Sequence, residues 1–150
     1  GDWIARNRPV AVGECGLDFF VTDLDPQRQR LVFEQQVRLA VAFNLPLVLH
    51  ARRAVDDVMA ILRRFRPRGG VVHSFSGSPQ QAEQLFTLGI ALGIGGPVTY
   101  ERAQRLRGIV ATMPIEFLLL ETDAPDQPSC GLRGCRHEPA HLQAVVDAVC

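Results

Sequence analysis

Four side chains in this 150-residue sequence have the types and positions needed to bind and use a metal ion. Glu14 stands in AVGECGLDFF (11–20), His50 closes LPLVLH (45–50), His73 falls in GVVHSF (70–75), and Asp123 follows IEFLLLET (115–122). Each comes at the downstream end of a separate apolar run. Neutral imidazole nitrogen and anionic carboxylate oxygen are the donors that a hard-to-borderline divalent cation takes. A carboxylate carries two oxygens and can bridge two ions, which makes Glu14 the natural bridging ligand. One histidine after a strand is commonly a hydrogen-bonded loop residue; two histidines and two acids closing four strands argue for a metal site.

The elements that must position these residues follow from periodicity. PVAV (9–12), LPLVLH, GVVHSF, IALGIG (90–95) and IEFLLLET read as strands. After the first, Asp25 is placed as an N-cap and Pro26 at the first helical position, with Phe33, Val37, Ala40 and Val41 on one apolar face. A second helix is expected over roughly 54–65, a third from Ser78-Pro79 to Gly89, a fourth in ERAQRLRGIVATM and a last over most of 139–150. Strands apolar on both faces, alternating with helices, predict an α/β domain with a parallel sheet. In such a sheet all C-terminal strand ends lie on one rim, which in a (β/α) barrel carries the active site. Residues 1–150 thus read as one domain, or part of one.

Other features are weaker. GIGG (93–96) lacks the spacing of a dinucleotide fingerprint and reads as a tight turn with close backbone approach. HSFSG (73–77) lacks the glycine of a nucleophile elbow, but the hydroxyls of Ser74 and Ser76 could receive an anion. Arg52 and Arg53 are placed to meet a phosphate oxygen, or to be a solvated pair. Phe19, Phe20 and Phe75 could stack on a base, though capping the core is the favoured reading. Cys130 and Cys135 with His137 have no second ligand pair nearby for a zinc knuckle, so all four cysteines are read as reduced thiols.

Composition bounds the partners. Sixteen basic residues, all arginine, balance sixteen acids. A net charge of zero argues against strong electrostatic capture of nucleic acid, while leaving room for a local arginine cluster that holds a phosphate. No apolar run approaches the roughly 18 residues of a membrane span, so no membrane partner is expected and a cytoplasmic protein is the default.

In order and spacing, AVGECGLDFF, LPLVLHARRA, GVVHSFSGS with QQAEQLFTLG, and LLLETDAPD resemble the motifs of the TatD family of metal-dependent deoxyribonucleases. That family belongs to the amidohydrolase superfamily of TIM barrels. The resemblance implies a (β/α)8 barrel of which this chain supplies about five βα units, strands four to eight. It implies two divalent cations, such as magnesium, manganese or zinc. Glu14 would bridge them, His50 and His73 would hold the second, and Asp123 would contact the first and its water. It implies DNA, single-stranded or entered from an end, as substrate, with Asp123 taking the proton of the attacking water and Arg52 supporting the phosphoryl charge. No obligate protein partner is evident.

Two departures from the family pattern stand out. The His-x-His pair of barrel strand one is not in this sequence, so strands one to three and a C-terminal tail are expected to be missing relative to a complete barrel. RHEP, with His137, occupies the place of the family's Asn-x-Pro. Two further readings follow: a hydrolase of a small ester, amide or phosphotriester on the same site, or an inert fragment without the first metal site.

Overall fold

The computed structural model describes residues 1–150. Five parallel strands pair in sequence order: β1 (Val12–Asp18), β2 (Leu47–Arg52), β3 (Gly70–Val72), β4 (Ile90–Ile94) and β5 (Leu118–Leu120). The helices are α1 (Asp2–Asn7), α2 (Pro26–Ala42), α3 (Val55–Phe65), α4 (Pro79–Thr87), α5 (Gln104–Thr112) and α6 (Leu142–Val149). Each strand pairs with the next in order, so connections of a single hand lay their helices on one face of the sheet. That is the winding of a barrel wall; a doubly wound sheet would reverse its strand order.

The register shows which side chains lie under the helices. Leu17, Leu47, Leu49, Val72, Ile90 and Leu92 share one face and are essentially inaccessible to solvent. The opposite face carries Val48, His50, Val71, Ala91, Gly93 and Leu119, and Leu119 is 45% exposed. Both faces are apolar as expected, but helices of this chain cover only one. No helix is long and apolar enough to cross a membrane.

The local signals hold where capping chemistry is explicit. The Asp25 carboxylate accepts the N–H groups of Gln27 and Arg28 ahead of Pro26. Ser78 and Gln81 form a reciprocal capping box at α4, and Gly89, with φ of 71°, follows that helix. Phe33, Val37 and Ala40 are buried, whereas Val41 is 43% exposed. At 3.6 residues per turn it points roughly 70° off the axis of that stripe.

Strand boundaries need correction. β1 begins at Val12, not Pro9, and runs through Glu14 to Asp18, so Glu14 lies inside the strand. His50 likewise lies inside β2. β3 and β5 have three residues each, and a 3-10 turn (Ile115–Phe117) takes the place expected for the start of β5. Apolar runs leave strand length open; the ladder extends only where a partner strand continues.

Candidate metal centre

An acid sits within β1 because that strand carries an extra residue. Val12 pairs with Leu47 and Cys15 with Leu49, so three steps along β1 match two along β2. The extra residue is a bulge, which breaks the alternation and re-aims a side chain. Downstream of it Cys15 and Leu17 are buried, while Glu14 remains half exposed at the open face.

Glu14 there meets both histidines. Its Oε1 lies 3.1 Å from His50 Nδ1 and 2.8 Å from His73 Nε2, and the two ring nitrogens are 3.1 Å apart. His50 Nε2 lies 3.2 Å from Asp18 Oδ2, which assigns the ring proton to Nε2 and leaves a lone pair on Nδ1. That lone pair faces a carboxylate oxygen, an acceptor against an acceptor, which a cation would reconcile. An ion held at about 2.0–2.2 Å from each donor needs cis donors roughly 3 Å apart, and this triangle has that edge. The donor set therefore fits a divalent metal.

Each imidazole is backed by a second carboxylate. Asp18 Oδ1 accepts the N–H groups of Phe20 and Val21, and Gln29 of α2 clamps the Asp18 backbone through both its N–H and its carbonyl. Burial opposes ionisation of Asp18, but the Phe20 N–H, His50 and the Val21 N–H outweigh it and hold the carboxyl below its usual range. Behind His73, Glu121 Oε1 accepts the Ser74 N–H at 2.5 Å and stands 4.0 Å from His73 Nδ1. Burial pushes the Glu121 carboxyl up, the Ser74 N–H and His73 partly offset this, and Asp123 adds to it.

Glu121 reaches that position because residue 93 is glycine: a Cβ there would lie 2.4 Å from Glu121 Oε2. A Cβ on Gly96 would lie 2.2 Å from the Gln127 carbonyl oxygen. GIGG is therefore a zone of close approach, to a side chain at Gly93 and to backbone at Gly96.

A cavity of about 860 Å³ opens beside the two histidines of the triangle, lined by His50, His73, Arg52, Ser74, Ser76 and Asp123 among others. Asp123 shares the cavity but stands outside the three-ligand group. Its Oδ2 accepts from Gln127 Nε2 at 2.7 Å, and the same nitrogen donates to Ser74 Oγ. Arg52 lies 3.7 Å above the Phe20 ring. Phe75 is in the core and Phe19 packs against it, as favoured, but Phe20 is 45% exposed. His137 is buried and contacts the Asp126 carbonyl through Nδ1 at 2.8 Å, anchoring the loop that follows Asp123. All four cysteines are unpaired.

The family description TatD related DNase matches residues 2–150. This chain belongs to the TatD-related DNase family. It is 46% identical over 142 residues to YjjV of Escherichia coli (strain K12), an uncharacterized metal-dependent hydrolase, covering 94% of this chain and 55% of that protein. It is 39% identical over 147 residues to the 3'-5' ssDNA/RNA exonuclease TatD of Klebsiella pneumoniae (strain 342), covering 93% and 56%. The crystal structure of YjjV, a TatD homologue, matches with a TM-score of 0.93 at 42% identity, over 99% of this chain and 59% of that one. The chain spans about half the length of these curated relatives.

For a TatD-related chain, sequence reasoning found the three residues of the triangle and missed their supports. Asp18 was visible as a second acid beside Glu14, and Glu121 as the acid two before Asp123. Neither is linked to a histidine by any local spacing. Gln127, which ties Ser74 to Asp123, carried no sequence signal.

Proposed function

We propose that this chain forms part of a metal-dependent phosphodiesterase that hydrolyses DNA, most readily single strands or strand ends, and that its strands are four to eight of a (β/α)8 barrel. The observation that carries the reading is the triangle of Glu14, His50 and His73, whose edges of 2.8–3.1 Å suit a bound cation. Glu14, His50 and His73 would hold one divalent ion, and Glu14 and Asp123 would contribute ligands to a second. Magnesium, manganese and zinc all suit nitrogen and carboxylate donors to differing degrees. Bound divalent cations supply Lewis acidity, which favours hydroxide at neutral pH and neutralises charge on phosphoryl oxygens.

The chain's own groups do the rest. Asp123, held at Oδ2 by Gln127, accepts the proton of the attacking water. The Arg52 guanidinium, steadied over Phe20, opposes the negative charge that builds on the non-bridging oxygens. Ser76 lines the cavity and is available to a phosphate oxygen, whereas the Ser74 hydroxyl is already engaged by Glu121 and Gln127. Arginines around the cavity favour an anionic ester over a neutral amide or lactone.

The test is hydrolysis of end-labelled single-stranded and duplex DNA with each metal, alongside a panel of small esters and amides. Asp123→Ala is expected to lower kcat by about 10²–10⁴-fold while the circular dichroism spectrum is retained. Full nuclease activity in that variant, or turnover of small esters with none of DNA, would refute the assignment.

A further inference from the structure

The cavity beside His50 and His73 extends well beyond them. It runs past Ser76 and Pro97 to Arg102 and Arg105, which belong to the connection after β4 and the first turn of α5. The triangle comes from β1, β2 and the residue after β3, so these arginines enter the same opening from different elements. Adjacent strands are about 4.8 Å apart, which sets the β4 end one to two strand spacings from the histidines.

Neither arginine has an internal carboxylate to neutralise it. The arginine ion pairs of the protein use Arg30, Arg52, Arg64 and Arg136. Both are nonetheless held in place: Arg105 Nη2 donates to the Ser76 carbonyl at 3.0 Å, and the Arg102 guanidinium lies 5.4 Å from the Tyr100 ring centre. Tyr100 is in turn fixed through its hydroxyl to the Pro128 carbonyl. Of the acids, Asp123 and Asp126 line the cavity, against the three guanidinium groups of Arg52, Arg102 and Arg105.

We propose that Arg102 and Arg105 form a second phosphate station, so that the cavity takes a nucleic-acid strand carrying a further phosphate beyond the one being cleaved. This rests on the nuclease reading above and adds to it a requirement on substrate length. A guanidinium that keeps free N–H donors in a wet cavity offers charge-assisted hydrogen bonds to phosphate oxygens. Because the two arginines come from the β4–α5 connection and α5 and belong to neither the triangle nor its supports, they act on the strand and not on the reacting atoms.

The test compares the wild type with Arg102→Ala/Arg105→Ala in two measurements. In the first, a fluorescent oligothymidylate of roughly ten nucleotides is bound in EDTA, and affinity is followed by anisotropy against salt concentration. Each phosphate contact on a single strand contributes about 0.7 to the slope of log K against log salt, so the double variant should lose about 1.4. Arg102→Lys/Arg105→Lys should restore most of that slope, because the slope counts charge. In the second, kcat/KM for the oligonucleotide should fall about tenfold further than for bis(p-nitrophenyl) phosphate, which has a single phosphate. A wild type that cleaves DNA while the double variant keeps its salt slope and its substrate ratio overturns this inference alone. A wild type that neither binds nor cleaves DNA removes the nuclease reading and this inference with it.

Discussion

Replacing Gly93 by alanine sets one methyl group against the carboxylate behind His73 of the candidate metal centre. The new Cβ would lie 2.4 Å from Glu121 Oε2, 2.7 Å from Cδ and 2.9 Å from Oε1, inside the roughly 3.5–4.0 Å of comfortable contact. The end of a glutamate is normally free to swing away. Here it is mostly buried, and its Oε1 accepts both the Ser74 N–H and, at 3.3 Å, the Ser74 hydroxyl. If the carboxylate retreats, a half-buried amide loses its acceptor, at about 1–3 kcal/mol. If β4 shifts instead, overpacking costs a similar ~1–3 kcal/mol. Against this, alanine reduces unfolded-chain entropy and returns about 0.4–1 kcal/mol. The net expectation is a loss of about 0–2.6 kcal/mol, centred above ~1, by urea denaturation with an unchanged m-value.

The sign of the effect depends on Glu121. In a Glu121→Ala background the obstacle is gone, and Gly93→Ala should become neutral or stabilising, giving a coupling energy of about 1 kcal/mol or more. Calorimetric titration of a divalent metal should show about tenfold weaker binding in Gly93→Ala, because the displaced carboxylate supports the loop that carries His73. A Gly93→Ala protein as stable as the wild type, with additive behaviour in the double variant, would refute this account.

Two other outcomes follow from the same contacts. Asp18→Asn keeps an oxygen for the Phe20 and Val21 N–H groups but turns an amide toward His50 Nε2. The ring proton is then driven to Nδ1, the atom facing Glu14, and metal affinity should fall about 10–100-fold by calorimetry; an unchanged affinity would show that Asp18 does not set the tautomer. Burial, with the Glu14 charge adding to it, pushes the Cys15 thiol up to about 12, while Cys130, Cys135 and Cys150 are exposed. Ellman's reagent at mildly alkaline pH should therefore titrate the three exposed thiols rapidly and Cys15 only after unfolding, and four fast thiols would contradict the packing of β1.

Much of the architecture was written in local patterns. Asp25 ahead of Pro26, and Ser78 three residues before Gln81, satisfy orphaned helix N–H groups within a few residues of themselves, so their meaning survives without a fold. The three residues of the candidate metal triangle were legible for a related reason. Neighbouring parallel strands of one sheet carry Glu14, His50 and His73, so their residue types and strand order point to one site, although Glu14 and His50 lie within their strands and not at the ends.

Tertiary structure decided what depends on neighbours across the sheet. The bulge between Val12 and Cys15 exists only in relation to β2, and it keeps Glu14 at the open face. Asp18 and Glu121 became supports of His50 and His73 through contacts spanning 32 and 48 residues, which no periodicity encodes. Asp123 entered the cavity yet stayed out of the triangle, bound instead to Gln127. Residue types and strand order determined which atoms could bind a metal. Through-space packing, in which a missing Cβ at Gly93 matters as much as any charge, decided how those atoms are held.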